Sequence, residues 1–234
     1  MSETGQQLTQ LIKDKEFKDI TKEIVESAID QKLPEGFLKE VPLLSILIGT
    51  FNAISNIKDR LFVKKLLVFL YQLKSISDDK IIEQIIRIED DNAYKTKVGE
   101  KLLYIIDKCE DPDKAYLTGK LFKAFLEKKI GYDEFLSGTS IIEKTPLPDL
   151  LWFINDETES IDLDSGGSEF VSYGLMIIQV TKPKIKISNE EPNFGDKYGP
   201  SEEEILEHKM SISEFEVKAY ISYAGKMLRE NLAN

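Results

Sequence analysis

Residues 111–131 read DPDKAYLTGKLFKAFLEKKIG, and they decide the fold class of what precedes them. Asp111 stands where an N-cap belongs and Pro112 takes the first helical position, where a missing N–H costs nothing. Lysines gather near the end and Gly131 follows, so the spacing predicts a helix from Pro112 that stops just before Gly131. Gly119, inside this run, reads as a packing glycine: "TGKL" lacks both the upstream glycine and the Ser/Thr of a phosphate-binding loop.

Working outward, the flanking segments carry the same texture. Ser77 is placed as an N-cap for "SDDKIIEQIIRIEDDN", with acids in the first turn and apolar pairs at 81/82 and 85/86. "AYKTKVGEKLLYIIDKC" brings Val98, Leu102, Ile105 and Ile106 to helical spacing, and "YDEFLSGTSIIEK" predicts a short helix before "TPLPD". Toward the N-terminus, Leu8, Leu11, Ile12, Phe17, Ile20, Ile24 and Ala28 recur mostly at three and four, which predicts one long helix or two short ones. "LPEGF" at 33–37 and Pro42 then break the pattern. Residues 1–145 are expected to form a helical domain.

After Pro146 the texture changes. "LPDLLWFI" is a short apolar helix candidate, "NDETESIDLDSGGSE" an acidic loop, "FVSYGLMIIQV" an apolar segment and "KIKIS" an alternating run. "NEEPNFGDKYGPSEEE" reads as a surface insertion, and "FEVKAYISYAGKMLRENL" as strand, then helix. The expected architecture is therefore mainly α: a helical bundle followed by a small α+β module at 146–234.

Tyr173-Gly174-Leu175-Met176-Ile177, and Tyr220-Ile221-Ser222-Tyr223-Ala224-Gly225-Lys226-Met227-Leu228 after a long connection, resemble the tail of winged-helix domains. There a recognition helix ends in a Gly-Leu-Ile-type strand and a wing hairpin returns in a Tyr-containing strand followed by a helix. The likeness covers roughly the last 85 residues. It implies a recognition helix drawing on "SGGSEFVSY", which holds no Lys or Arg, whereas groove readers rely on Arg, Lys, Asn and Gln there. A wing would hold Lys182, Lys184 and Lys186 beside Glu190, Glu191 and Asp196. A protein-binding version is expected over a DNA-binding one.

Charge agrees with that expectation. The chain carries 31 basic and 42 acidic residues, a net charge of −11, and its last 90 residues hold eight basic against 17 acidic. Broad attraction to nucleic-acid phosphates is disfavoured. One cysteine, Cys109, requires no oxidising compartment, and "MSETGQQLTQLIKDKEF" has no basic-then-apolar leader, so a cytoplasmic setting is expected.

Catalytic and metal chemistry find little purchase. The single histidine, His208, lies in "SEEEILEHKMS" and reads as solvated, which leaves no triad or imidazole-rich metal site. Cys109 beside Ile105 and Ile106 reads as a small buried thiol. "DLDSGGSE" at 162–169 places Asp162, Asp164 and Glu169 together, but Tyr173 falls where an EF-hand needs its bidentate Glu. No enzyme activity, cofactor or metal is expected.

The remaining feature is Glu40 to Lys74. Val41–Ile57 carries no charge, with Ser45, Gly49, Asn52 and Asn56 on one stripe and Leu44, Leu47, Ile48, Phe51 and Ile54 on another. It is shorter than the roughly 20 apolar residues of a spanning helix. Lys58, Arg60, Lys64, Lys65 and Lys74 follow, interleaved with Leu61, Phe62, Leu66, Phe69, Leu70 and Leu73, the pattern of a basic amphipathic helix that lies on an anionic membrane or an acidic partner. The ordinary reading is a bundle-centre helix whose neighbour snorkels lysines to solvent. The surface candidates are Leu47, Ile48, Phe51, Ile54, Lys58, Arg60, Lys64 and Lys65.

This apolar-then-basic arrangement resembles segments of uncharacterised bacterial proteins, some linked to phage defence. The expected function is a non-enzymatic interaction component of a bacterial defence or stress system, acting on a protein partner or as a homo-oligomer. A membrane-active effector at the inner face of the membrane is the alternative, and a DNA-binding regulator ranks third.

Overall fold

A computed structural model describes residues 3–13, 57–90, 98–180, 185–187, 210–212 and 216–233. The chain divides into two units, residues 1–156 with 224–234, and residues 157–223.

The first unit is helical: α1 (Glu3–Lys13), α2 (Ile57–Tyr71), α3 (Asp78–Glu89), α4 (Val98–Lys108), α5 (Pro112–Leu126), α6 (Tyr132–Lys144), α7 (Leu147–Asn155) and the C-terminal α9 (Tyr223–Leu232), whose first residue belongs to the second unit. The second unit holds β1 (Ser160–Asp162), a 3-10 turn, α8 (Gly167–Tyr173), β2 (Met176–Val180), β3 (Ile185–Ile187), β4 (Met210–Ile212) and β5 (Val217–Ile221). The mainly helical fold with a small sheet near the C-terminus is the expected class. The division differs from the expected break at 145/146, because α7 and α9 join the helical unit. Arg229 on α9 donates from Nε to the Phe153 carbonyl of α7 at 2.9 Å and stacks 4.3 Å from the Phe153 ring centroid.

Helix α5 begins as its sequence dictates, with Asp111 accepting from the Lys114 N–H at 2.8 Å. Ser77 sits at the N-cap of α3, but its side chain makes no cap bond. The end of α5 differs from expectation. The helix stops at Leu126, and Lys128 adopts the left-handed conformation at φ 62°. The Lys129 N–H reaches Ala124 O and the Lys128 N–H reaches Phe125 O, at 3.0 and 2.9 Å, closing a Schellman turn. Gly131 is instead the N-cap of α6, its N–H donating to the Glu134 carboxylate at 2.6 Å.

Helix α5 packs against α2 and α6. Gly119 lets α2 and α5 close, since a Cβ there would stand 2.8 Å from the Phe69 carbonyl oxygen. Around this contact lies an aromatic core: Phe69 stacks on Phe122 at 5.7 Å between centroids, Phe122 meets Phe135 at 5.2 Å, and Phe125 meets Tyr132 at 5.6 Å. Helix α2 is not amphipathic. Phe62, Val63, Leu66, Leu67, Val68, Phe69 and Leu70 are all buried, and successive positions 100° apart leave almost no polar face.

Three lysines end three helices. Lys65 Nζ donates to the carbonyls of Asp107 and Cys109 at 2.7 and 2.8 Å, at the close of α4. Lys114, 1% exposed in its side chain, donates to the Glu143 carbonyl of α6 at 3.0 Å and pairs with Glu110 at 2.9 Å. Lys120 donates to the Leu232 carbonyl of α9 at 2.6 Å. Each ammonium meets carbonyls that the last turn of a helix leaves unbonded, at the negative end of the helix dipole.

In the second unit the strand order is β1–β5–β2, all antiparallel. Strand β1 lies within the expected acidic loop, Ser160 pairing with Tyr220 and Asp162 with Lys218. Met176 pairs with Ile221 and Val180 with Val217; Ile185 then pairs with Ile212 and Ile187 with Met210. The β3–β4 pairs keep the register of the β2–β5 pairs.

Candidate functional site

Helix α8 is short and ends at Gly174, whose φ of 88° is the left-handed conformation glycine adopts without strain. Leu175, fully buried, then turns the chain into β2. Ser222 fixes this corner: its N–H donates to the Leu175 carbonyl at 3.0 Å and its hydroxyl to the Gly174 carbonyl at 2.8 Å. The start of β2 is thus clamped to the end of β5.

Period-two alternation puts Met176, Ile178 and Val180 on one face with their partners Ile221, Ala219 and Val217. This face is wholly apolar. At one end α8 approaches so closely that a Cβ on Gly167 would lie 3.0 Å from the Ala219 Cβ, and Met176 and Ala219 are buried. At the other end the cover runs out: Ile178 is 53% exposed, Val180 60% and their neighbour Val217 39%. On the opposite face Ile177 is also about half exposed. Strand β2 is an edge strand; among the described residues nothing pairs with its outer side. An uncovered apolar edge is a template for another strand unless something occupies it.

The sequence that continues from this edge is asymmetric in charge. From Met176 to Ile187 the sequence holds Lys182, Lys184 and Lys186 and no acid. Across the sheet, Lys218 lies between Glu216 at 3.3 Å and Asp162 at 3.7 Å, and the hydrogen bond and charge of Glu216 raise its pKa above the ordinary lysine value. Helix α8 offers Ser168, Glu169 and Ser172 to solvent and no cation.

Of the surface candidates singled out at 40–74, the structure describes the side chains of Arg60, Lys64 and Lys65. Leu47, Ile48, Phe51 and Ile54 lie outside the described residues, as does the Lys58 side chain. Arg60 is exposed and Lys64 half-buried, whereas Lys65, 5% exposed, faces inward to close α4. Its place in a membrane or partner surface is therefore corrected: two carbonyl acceptors at the end of α4 hold the ammonium. Among the described residues no helix is long and apolar enough to cross a membrane.

Cys109 is buried as expected, its thiol 3.4 Å from the Ile105 carbonyl and 3.7 Å from the Thr118 hydroxyl. Burial pushes its pKa up, against a smaller opposing effect of Thr118, so the thiol stays protonated and a poor nucleophile. His208 lies outside the described residues. Among those described, no three His, Cys, Asp or Glu side chains gather as a metal site.

No protein-family model matches the chain, and no curated protein or solved structure does.

Proposed function

We propose that this protein is a non-enzymatic interaction component whose C-terminal unit receives a strand from an acidic partner protein along the outer edge of β2. The observation that carries the reading is the open, apolar edge at Ile178 and Val180, continuous with the uncovered end of the sheet face. Strand addition takes its affinity from backbone hydrogen bonds and its selectivity from alternate side chains. Burying side chains of this size contributes on the order of 1–2 kcal/mol each.

Charge selects the partner. The segment 176–187 carries three lysines and no acid, so an acidic strand complements its charge and a second copy does not. The order helix, strand, returning strand, helix supports the winged-helix likeness, and the lack of Lys and Arg on α8 favours a protein partner over duplex DNA. The assignment to a bacterial defence or stress system rests on the resemblance of the N-terminal segment.

Tagged full-length Val180→Glu and Val180→Lys test this together, by quantifying the proteins each recovers from the native host beside the unaltered chain. Val180→Glu is expected to lose the partner and Val180→Lys to keep it. Equal recovery by both would contradict the acidic-strand reading, and a salt-resistant homodimer in sedimentation would replace it with self-association.

A further inference from the structure

Gln84 is 2% exposed on α3, and among the described residues its Nε2 finds no hydrogen-bond acceptor. A buried amide donor left unpaired costs free energy that a bound acceptor would recover. Gln84 lines a cleft of about 530 Å³ between α3, the end of α5 and the first turn of α6, within the size range of small-molecule sites. Arg87, one helical turn from Gln84, lines the same cleft.

The other charged groups around the cleft are largely committed. Lys128 Nζ pairs with Glu83 at 2.6 Å, and that hydrogen bond, before its charge, holds the Glu83 carboxyl below its ordinary pKa. Lys129 pairs with Glu127 at 2.8 Å, and Glu134 accepts from the Gly131 N–H at 2.6 Å. The first turn of α6 contributes the positive end of a helix dipole. Asp133 adds a negative charge at the rim, which favours a singly charged ligand over a phosphate dianion. Ile88, Phe125 and Ile130 supply apolar walls.

We infer that this cleft binds a small monocarboxylate with a compact apolar body. Its carboxylate takes the Gln84 amide and the Arg87 guanidinium, and its apolar part lies on Ile88, Phe125 and Ile130. This site is independent of the β2 edge, and its failure leaves that reading untouched.

The test is a titration of the full chain by nitrogen-15 NMR with 4-phenylbutyrate, against 4-phenylbutyramide as the neutral analogue. Saturable shifts centred on the Gln84 side-chain amide and residues 128–134 are expected. Affinity should fall about tenfold or more for the amide and for Gln84→Leu and Arg87→Leu. Ligand-free Gln84→Leu should melt above the unaltered protein, because an apolar side chain replaces an unpaired donor. No saturation by about 10 mM, a level at which even millimolar binding shows, would overturn the proposal. So would equal binding of both compounds, unchanged affinity in the variants, or a lower melting temperature for Gln84→Leu.

Discussion

Replacing Lys65 by Met should destabilise the helical unit by about 2–4 kcal/mol. The substitution preserves length and apolar bulk, so packing around the buried stem changes little. What disappears is the ammonium and its bonds to the carbonyls of Asp107 and Cys109 at 2.7 and 2.8 Å. Hydrogen bonds to a charged group contribute roughly 1.5–3 kcal/mol each, and a buried oxygen without a donor costs about 1–3 kcal/mol. Against these stands the desolvation of a nearly buried charge, which Met removes and which brings the sum down to the stated range. Urea unfolding followed by far-UV circular dichroism measures the difference, with Arg60→Met as the exposed control, expected within about 0.5 kcal/mol of the unaltered chain. A loss under about 0.5 kcal/mol for Lys65→Met would show that the ammonium does not close α4, and would return Lys65 to the surface.

Three further outcomes follow from the packing. Gly119→Ala places a Cβ 2.8 Å from the immovable Phe69 carbonyl, so despite a better helix propensity it should cost about 1–2 kcal/mol in the same unfolding assay. Gly138→Ala meets side-chain tips of Leu121, Met227 and Leu228, which can shift, so its effect should stay within about 1 kcal/mol of zero. Lys128→Gly relieves a left-handed lysine at the end of α5 and gives up only an exposed pair with Glu83, so it should stabilise by up to about 1 kcal/mol in thermal unfolding. Cys109 gives a pH dependence: its pKa is raised on folding, so the folded state holds the proton longer. Stability is therefore full below the unfolded thiol value of about 8.5 and falls as pH rises beyond it, a decline that Cys109→Ala should flatten in urea titrations across that range.

Much of the helical unit was legible because its signals are local. Asp111 and Pro112 fix the start of α5 through bonds within one turn, and the apolar spacing of Val98, Leu102, Ile105 and Ile106 follows the face that α4 buries. Other features depend on partners distant in sequence. Lys65 reads as a surface charge until the end of α4, more than 40 residues later, supplies its acceptors. Gly131 looks like a helix stop because glycine commonly is one; the left-handed position falls on Lys128 instead, and nothing local distinguishes them. Strand β1 is three residues of an acidic segment and exists through its pairing with β5, including the Ile221 N–H bond to the Glu159 carbonyl at 2.8 Å. The unit boundary was misplaced because Pro146 marks a change of texture, while membership is settled by contacts such as Arg229 with Phe153. Of the candidate site, the sequence shows the apolar run at 176–180 and the lysines beyond it. Which side of that run stays uncovered depends on where the short α8 ends.

The most direct test of the strand-addition account is amide hydrogen exchange across residues 176–180, in the protein alone and with the partner that Val180→Glu fails to recover. Slowing of these β2 amides by about tenfold or more in the complex is the predicted result, since new backbone bonds must open before exchange. Unchanged exchange in β2, with protection appearing elsewhere on the chain, would contradict it.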